Sequence, residues 1–274
     1  MTTARSSTSP SPDPGARPPR VFDGVGVALV TLFADDGSLD VAATTDLAVR
    51  LVGLGVRAVV VAGTTGEAAT LSTDERSSLL DGVRDAVRSG ADDVVVIAGT
   101  GAPSARQAVT FTAAAVDRGA DAALVLSPPG TDDPRRYYQQ VVAAAGSTPV
   151  LAYHFPTASA PGIPLAALRE LDVAGCKDSS GDPDRLLETL TTWDRPLYVG
   201  SSAYLALAGP LGCAGAILAL ANAEPEGCAA AFAGDVSAQR ALAAAHRESL
   251  VAFPSGIKRL TARRFGTSTV TRSG

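Results

Sequence analysis

The sequence predicts a closed (β/α)8 barrel followed by a short helical appendage. Three observations carry this expectation. Eight short apolar runs recur along the 274 residues and read as buried parallel strands. Segments with helical spacing separate successive runs, which implies a parallel sheet with helices outside it. No GxGxxG follows the first run, and eight units are many for a doubly wound open sheet, the structural rival.

The elements follow in order. Residues 1–20 are Ser, Pro, Arg and small residues without apolar periodicity; they read as a disordered tail and lack the apolar stretch of a secretory signal. The barrel is expected over 21–223. Its strands fall at 25–33, 57–63, 93–99, 122–128, 149–155, 173–177, 196–201 and 215–220. Helical spacing covers 42–54, 103–118, 134–145, 164–171, 182–193 and 202–211. A further helix starts at Ser72, where Ser72-Thr73-Asp74-Glu75 has the pattern of a capping box ahead of Leu79, Leu80, Val83 and Val87. From Glu224 the chain turns Ala-rich. Residues 224–253 read as helical, and 224–274 as a C-terminal helical region without further strands.

Composition narrows the function classes. Apolar residues make up 46% and charged residues 19%, as in a folded globular protein with a large core. The balance of 23 Lys+Arg against 28 Asp+Glu leaves no basic excess for nucleic acid. Three cysteines without a CxxC exclude a disulfide scaffold and a structural zinc site, and they suit a reducing cytoplasm. No apolar run approaches the ~20 residues of a membrane span. Of the 23 basic residues only Lys177 and Lys258 are lysines. A chain that otherwise uses Arg marks the lysine positions as places where an amine able to lose its proton could matter.

In such a barrel the active site lies at the C-terminal ends of the strands. Those ends carry Thr31, Gly63-Thr64-Thr65-Gly66-Glu67, Gly99-Thr100-Gly101, Ser127-Pro128-Pro129-Gly130, Tyr153-His154, Lys177-Asp178-Ser179, Gly200-Ser201-Ser202 and Ala219. These are hydroxyls, a phenol, an imidazole and an amine, with no cluster spaced to ligate a metal and no Walker or GxSxG pattern, so neither a metal nor a cofactor is expected. Lys177 ends a strand pointing into the mouth, where poor solvation favours a nucleophilic free amine able to form a Schiff base; the alternative is a lysine paired with Asp178. Tyr153, on the neighbouring strand, is placed to shuttle protons, or simply to pack at the rim. Thr64 and Thr65, between two glycines, could hold a carboxylate through hydroxyls and exposed N–H groups, or form an ordinary turn. His154 should face the helix layer in a structural role, and His246 the surface.

GTTGEAATLSTDER (63–76), AGTGAPSARQA (98–108), YHFP (153–156), GCKDSSGD (175–182) and GCAGAILALAN (212–222) resemble the dihydrodipicolinate synthase/N-acetylneuraminate lyase family, in order, from Val21 to Phe265. The resemblance implies a (β/α)8 barrel with C-terminal helices, a homo-oligomer (dimer or tetramer), and chemistry on pyruvate and other 2-oxo acids through a lysine Schiff base. By position, Lys177 resembles the Schiff-base lysine and Tyr153 the proton-shuttling phenol. Thr64 and Thr65 resemble the carboxylate-binding pair, with Thr64 also in the proton relay. Ser179, Gly200, Ser201 and Ile217 match positions that line the substrate pocket or frame the lysine.

Four departures qualify it. The family often reads Ser/Thr-Pro-Tyr-Tyr after strand 4, supplying a relay tyrosine to a neighbouring subunit; this chain has Ser127-Pro128-Pro129-Gly130, leaving Tyr137 or Tyr138 as substitutes only if the loop folds back. The synthases carry an Arg after the strand-5 Tyr block; here the run is Pro156-Thr157-Ala158-Ser159-Ala160. His154 stands where Asn is usual. The helical region ends early, at Gly274. The expected activity is a class I lyase that cleaves a 4-hydroxy-2-oxo acid, of the 2-keto-3-deoxy sugar acid or 4-hydroxy-2-oxoglutarate type, to pyruvate and an aldehyde. The alternatives are a synthase condensing pyruvate with aspartate semialdehyde, a keto-deoxy sugar acid dehydratase, and a non-catalytic 2-oxo acid-binding protein.

Overall fold

The computed structural model describes residues 19–273 apart from residue 92. Most of the expected N-terminal tail, residues 1–18, therefore lies outside the described residues. Eight parallel strands close into a barrel in chain order: β1 (Gly24–Ala28), β2 (Ala58–Val61), β3 (Val95–Gly99), β4 (Ala122–Leu126), β5 (Val150–His154), β6 (Gly175–Asp178), β7 (Leu197–Val199) and β8 (Gly215–Leu218). Closure is direct, with Gly26 of β1 registered against Ile217 of β8. The helices between the strands are α1 (Val41–Gly53), α2 (Thr73–Gly90), α3 (Ala105–Asp117), α4 (Arg135–Ala145), α5 (Leu165–Glu170), α6 (Pro183–Thr192) and α7 (Leu205–Ala208).

Side-chain alternation divides the core in two. Ala58, Val60, Ile97, Leu124, Leu151 and Ile217 pack inside the barrel, whereas Val59, Val61, Val96, Val125 and Ala152 face the helices. The segment before β1 closes the interior: the Phe22 ring stacks on Tyr198 at 4.7 Å, and the Tyr198 hydroxyl donates to the Phe22 carbonyl at 3.0 Å.

Local sequence accounts for the helix starts. Ser72 and Glu75 form a reciprocal capping box on α2. Ser104 caps α3, and Asp182 caps α6 with Pro183 in its first turn. The expected strands overran by one to five residues, mostly at their C-terminal ends, because there the apolar runs leave the ladder to build loops. The helix expected over 202–211 shrinks to α7, since residues 200–204 form a loop and Pro210 offers no N–H. The helix expected over 224–253 is broken into α8 (Pro225–Phe232), α9 (Val236–Ala241) and α10 (Ala243–Ser249), separated at Gly234-Asp235 and Leu242. A further helix, α11 (Ser255–Phe265), lay beyond that stretch but within the expected C-terminal helical region.

Among the described residues no helix is long and apolar enough to cross a membrane, and no group of three or more His, Cys, Asp and Glu is placed to hold a metal ion.

Candidate active site

The site grows from the register of β5 and β6. Tyr153 sits opposite Lys177, and His154 opposite Asp178. Alternation then sends the first pair into the barrel mouth and the second out toward the helices. Lys177 is 4% exposed, and its Nζ lies 4.2 Å from the centroid of the Tyr153 ring. The pairing with Asp178 weighed from sequence does not form. Asp178 accepts instead from Arg185 Nε at 2.8 Å and from the backbone N–H and hydroxyl of Ser180 at 2.8 and 2.6 Å. Among the described residues Lys177 has no carboxylate partner and its amine donates no hydrogen bond to the protein. Asp178 thus shapes the loop beyond the lysine without neutralising it.

The phenol is tied into the same surface. The Ser179 hydroxyl donates to the Tyr153 hydroxyl at 3.4 Å, and Phe155 stacks on the Tyr153 ring at 5.8 Å. Gly200 is fixed by its N–H donating to the Asp178 carbonyl at 2.6 Å. A Cβ built there would collide with the Ser179 hydroxyl and come within 3.0 Å of Lys177 Cε. A side chain at 200 would displace the Ser179 side chain and press on Lys177 Cε.

After β2 the chain turns through Gly63-Thr64-Thr65-Gly66. Gly66 N–H donates to Gly63 O at 3.0 Å and Glu67 N–H to Thr64 O at 3.1 Å. The Thr31 hydroxyl donates to Gly66 O at 2.7 Å, so Thr31 braces the turn. The N–H groups and hydroxyls of Thr64 and Thr65 have no hydrogen-bond partner among the described residues, which leaves four donors able to receive a carboxylate. Behind the turn Glu67 adopts a left-handed conformation, φ 55°. Its buried carboxylate accepts from Lys258 Nζ at 2.6 Å and from the N–H groups of Arg272 and Ser273, each at 2.8 Å. Burial opposes ionisation of Glu67, but hydrogen bonds from Lys258 and Ser273 outweigh it and hold the carboxyl below its ordinary range. Lys258, the second lysine of the chain, thus anchors α11 and the C-terminal segment to the turn.

These groups line one cavity of about 690 Å3 that includes Thr64, Thr65, Tyr153, Lys177, Ser179, Gly200 and Ser201. Seven of the eight expected site residues meet there. Ile217 does not line it; it is fully buried in the barrel interior. His154 faces the helix layer as expected. Its Nδ1 accepts from Ile163 N–H at 2.8 Å, and burial above all lowers its pKa to about 4.

Two findings were not legible beforehand. His246, expected at the surface, lines the cavity with Ser249, Leu250 and Phe253. It belongs to α10, outside the eightfold repeat, and the only hint was that it is one of two histidines. Tyr137 and Tyr138 do not replace the relay tyrosine. Both lie in α4, where their hydroxyls donate to the carbonyls of Ala102 at 3.0 Å and Val125 at 2.8 Å.

A closed parallel barrel with a ligand-sized cavity, mostly apolar but carrying an amine, a phenol and hydroxyls, at the C-terminal ends of its strands is the layout of a (β/α)8-barrel enzyme. Comparison with known proteins gives the class. The chain matches the dihydrodipicolinate synthetase family over residues 21–263 and belongs to that family; it is a lyase of that kind. An uncharacterized DapA-like lyase of Halobacterium salinarum is 38% identical over 222 residues, 77% of this chain and 71% of that protein. The 4-hydroxy-tetrahydrodipicolinate synthase of Salinibacter ruber is 35% identical over 214 residues, 74% of this chain and 69% of that one. The dihydrodipicolinate synthase of Acinetobacter baumannii, solved in complex with pyruvate, superposes with a TM-score of 0.78 at 26% identity, covering 93% of this chain and 95% of that one.

Proposed function

We propose that the protein cleaves a 4-hydroxy-2-oxo acid to pyruvate and an aldehyde through a Schiff base on Lys177. The observation that carries this reading is an amine without a carboxylate partner, in a cavity that also holds a phenol and the unengaged donors of Thr64 and Thr65. The pyruvate found in the Acinetobacter baumannii relative supports the same ligand class here.

In the proposed cycle Lys177 attacks the C2 carbonyl, and loss of water gives a protonated imine. Thr64 and Thr65 hold the C1 carboxylate. Tyr153 takes the C4 hydroxyl proton, through Thr64 in the relay, as the C3–C4 bond breaks. Its electron pair flows into the imine to give an enamine, and the aldehyde leaves. The enamine takes a proton at C3, and water releases pyruvate and restores the amine. Positioning and charge stabilisation in a water-poor mouth are the largest expected contributions, with proton transfer adding ~100- to 10,000-fold.

Among the described residues, Lys177 is the only Lys or Arg that lines the cavity. This favours a substrate with one carboxylate over the 4-hydroxy-2-oxoglutarate type, and it weighs against condensation of pyruvate with aspartate semialdehyde. The similarity to the Salinibacter ruber synthase favours that condensation as the second reading. A homo-oligomer belongs to the proposal and is checked by light scattering.

The test is a panel of 2-keto-3-deoxy sugar acids, 4-hydroxy-2-oxoglutarate, and pyruvate with aspartate semialdehyde, followed by pyruvate release or uptake. The proposal expects release from a keto-deoxy sugar acid. Uptake with aspartate semialdehyde alone establishes the second reading. Release of water without an aldehyde points to a dehydratase. Lysine adducts without turnover on any member point to a binding protein.

A further inference from the structure

The wall of the cavity is completed by a segment outside the barrel. His246 is on α10, and its Nδ1 lies 2.8 Å from the Ser202 hydroxyl, two residues beyond Gly200. Ser202 is itself held, because its carbonyl accepts from Gln239 Nε2 at 2.9 Å and Gln239 Oε1 accepts from Ala206 N–H at 3.0 Å. On the helix side the Ser249 hydroxyl donates to the His246 carbonyl at 2.7 Å. Ser202 thus holds the ring through Nδ1 while Ser249 holds the His246 backbone, and the half-buried imidazole lines the same cavity as Lys177. Its Nε2 makes no hydrogen bond among the described residues. Leu250 and Phe253 supply apolar surface in the same cavity.

We infer that His246, oriented by Ser202, is the specificity-determining residue for the aldehyde half of the substrate and that it recognises a neutral hydroxyl there. This rests on the Schiff-base reading and extends it to the part of the substrate that leaves as the aldehyde. The chemistry of the partner follows from the ring. With Nδ1 engaged by Ser202, Nε2 either donates or accepts according to tautomer. A hydroxyl can do both and satisfies either state, whereas a carboxylate can only accept. Burial, with Arg247 nearby, holds the imidazole below its ordinary pKa and so keeps it neutral near pH 7. Among the described residues no Arg or second Lys lines the cavity to balance another negative charge. The site thus fits a polyhydroxylated aldehyde unit better than an acidic one.

The experiment runs the reaction in the carbon–carbon bond-forming direction. Pyruvate uptake is measured with glyceraldehyde and with propanal, which have the same carbon count with and without hydroxyls, for the wild-type protein, His246→Phe and His246→Gln. The preference for glyceraldehyde should fall about tenfold in His246→Phe, through KM, the loss expected for one hydrogen bond at a buried site. The KM for propanal should change by less than threefold in either direction, and His246→Gln should keep most of the preference. In all three proteins borohydride should trap pyruvate on Lys177 equally. If His246→Phe keeps the preference, or slows both aldehydes alike, the imidazole is only a structural tether and the inference is overturned while the Schiff-base reading stands. If wild-type protein takes up pyruvate with neither aldehyde, the aldolase reading fails and the inference with it.

Discussion

Lys258 and Glu67 meet at 2.6 Å with both side chains shut away from solvent. They join the C-terminal region to the turn that carries Thr64 and Thr65. Removing one partner strands a buried charge, so Lys258→Met or Glu67→Leu should each destabilise the protein by about 3–5 kcal/mol. The double variant, with no charge left, should recover much of that loss. Urea unfolding of the four proteins checks this. Equal destabilisation of the double variant and the sum of the singles would mean that the two residues do not act as a pair.

His154 sets a pH dependence of stability. Buried and accepting from Ile163 N–H, it resists protonation down to about pH 4, whereas in the unfolded chain it titrates near 6.5. Between those values the unfolded state binds the extra proton. Stability therefore falls as pH drops through that window, by on the order of 3 kcal/mol, and this contribution levels out below it. An Asn at 154 can accept the same hydrogen bond without titrating. Thermal unfolding of His154→Asn from pH 7 to 4.5 should show a visibly flatter decline than the wild-type protein; parallel curves would assign the acid sensitivity to other groups.

Gly200 packs against both Ser179 and Lys177. Gly200→Ala puts a methyl group into the space of the Ser179 hydroxyl and against Lys177 Cε. Pyruvate trapping by borohydride should drop at least tenfold, the effect of a misplaced nucleophile. The fold should survive, as circular dichroism will report. Trapping at the wild-type rate would show that the lysine does not need its observed position.

Tyr153→Phe separates imine formation from bond cleavage. The ring that faces the Lys177 amine remains, so pyruvate should still be trapped. Turnover of the 4-hydroxy-2-oxo acid should fall by ~100- to 10,000-fold, the usual contribution of a placed proton-transfer group. A loss below threefold would remove the phenol from the proposed relay.

The barrel was legible because its signal repeats: each apolar run and each intervening amphipathic segment points to the same architecture, and errors at single boundaries do not accumulate. Lys177, Tyr153, Thr64 and Thr65 were legible because strand ends converge on one mouth by topology alone. The contribution of α10 was not. His246 reaches the cavity only through the packing of helices outside the repeat, and nothing in the spacing of residues 224–253 fixes that packing. Lys258 shows the same limit. Scarcity of lysine singled out two positions, but only the fold tells that one faces an open cavity and the other a buried carboxylate. Ile217 shows that an intact motif does not fix a side chain's depth, since it packs in the barrel interior beneath the cavity rather than on its wall.

The most direct measurement is the mass of the protein after reduction with borohydride in the presence of pyruvate, followed by peptide mapping. One reduced pyruvyl group on Lys177, absent from Lys177→Arg and never found on Lys258, is the predicted result. An unmodified protein, or an adduct on any other amine, would contradict the Schiff-base account.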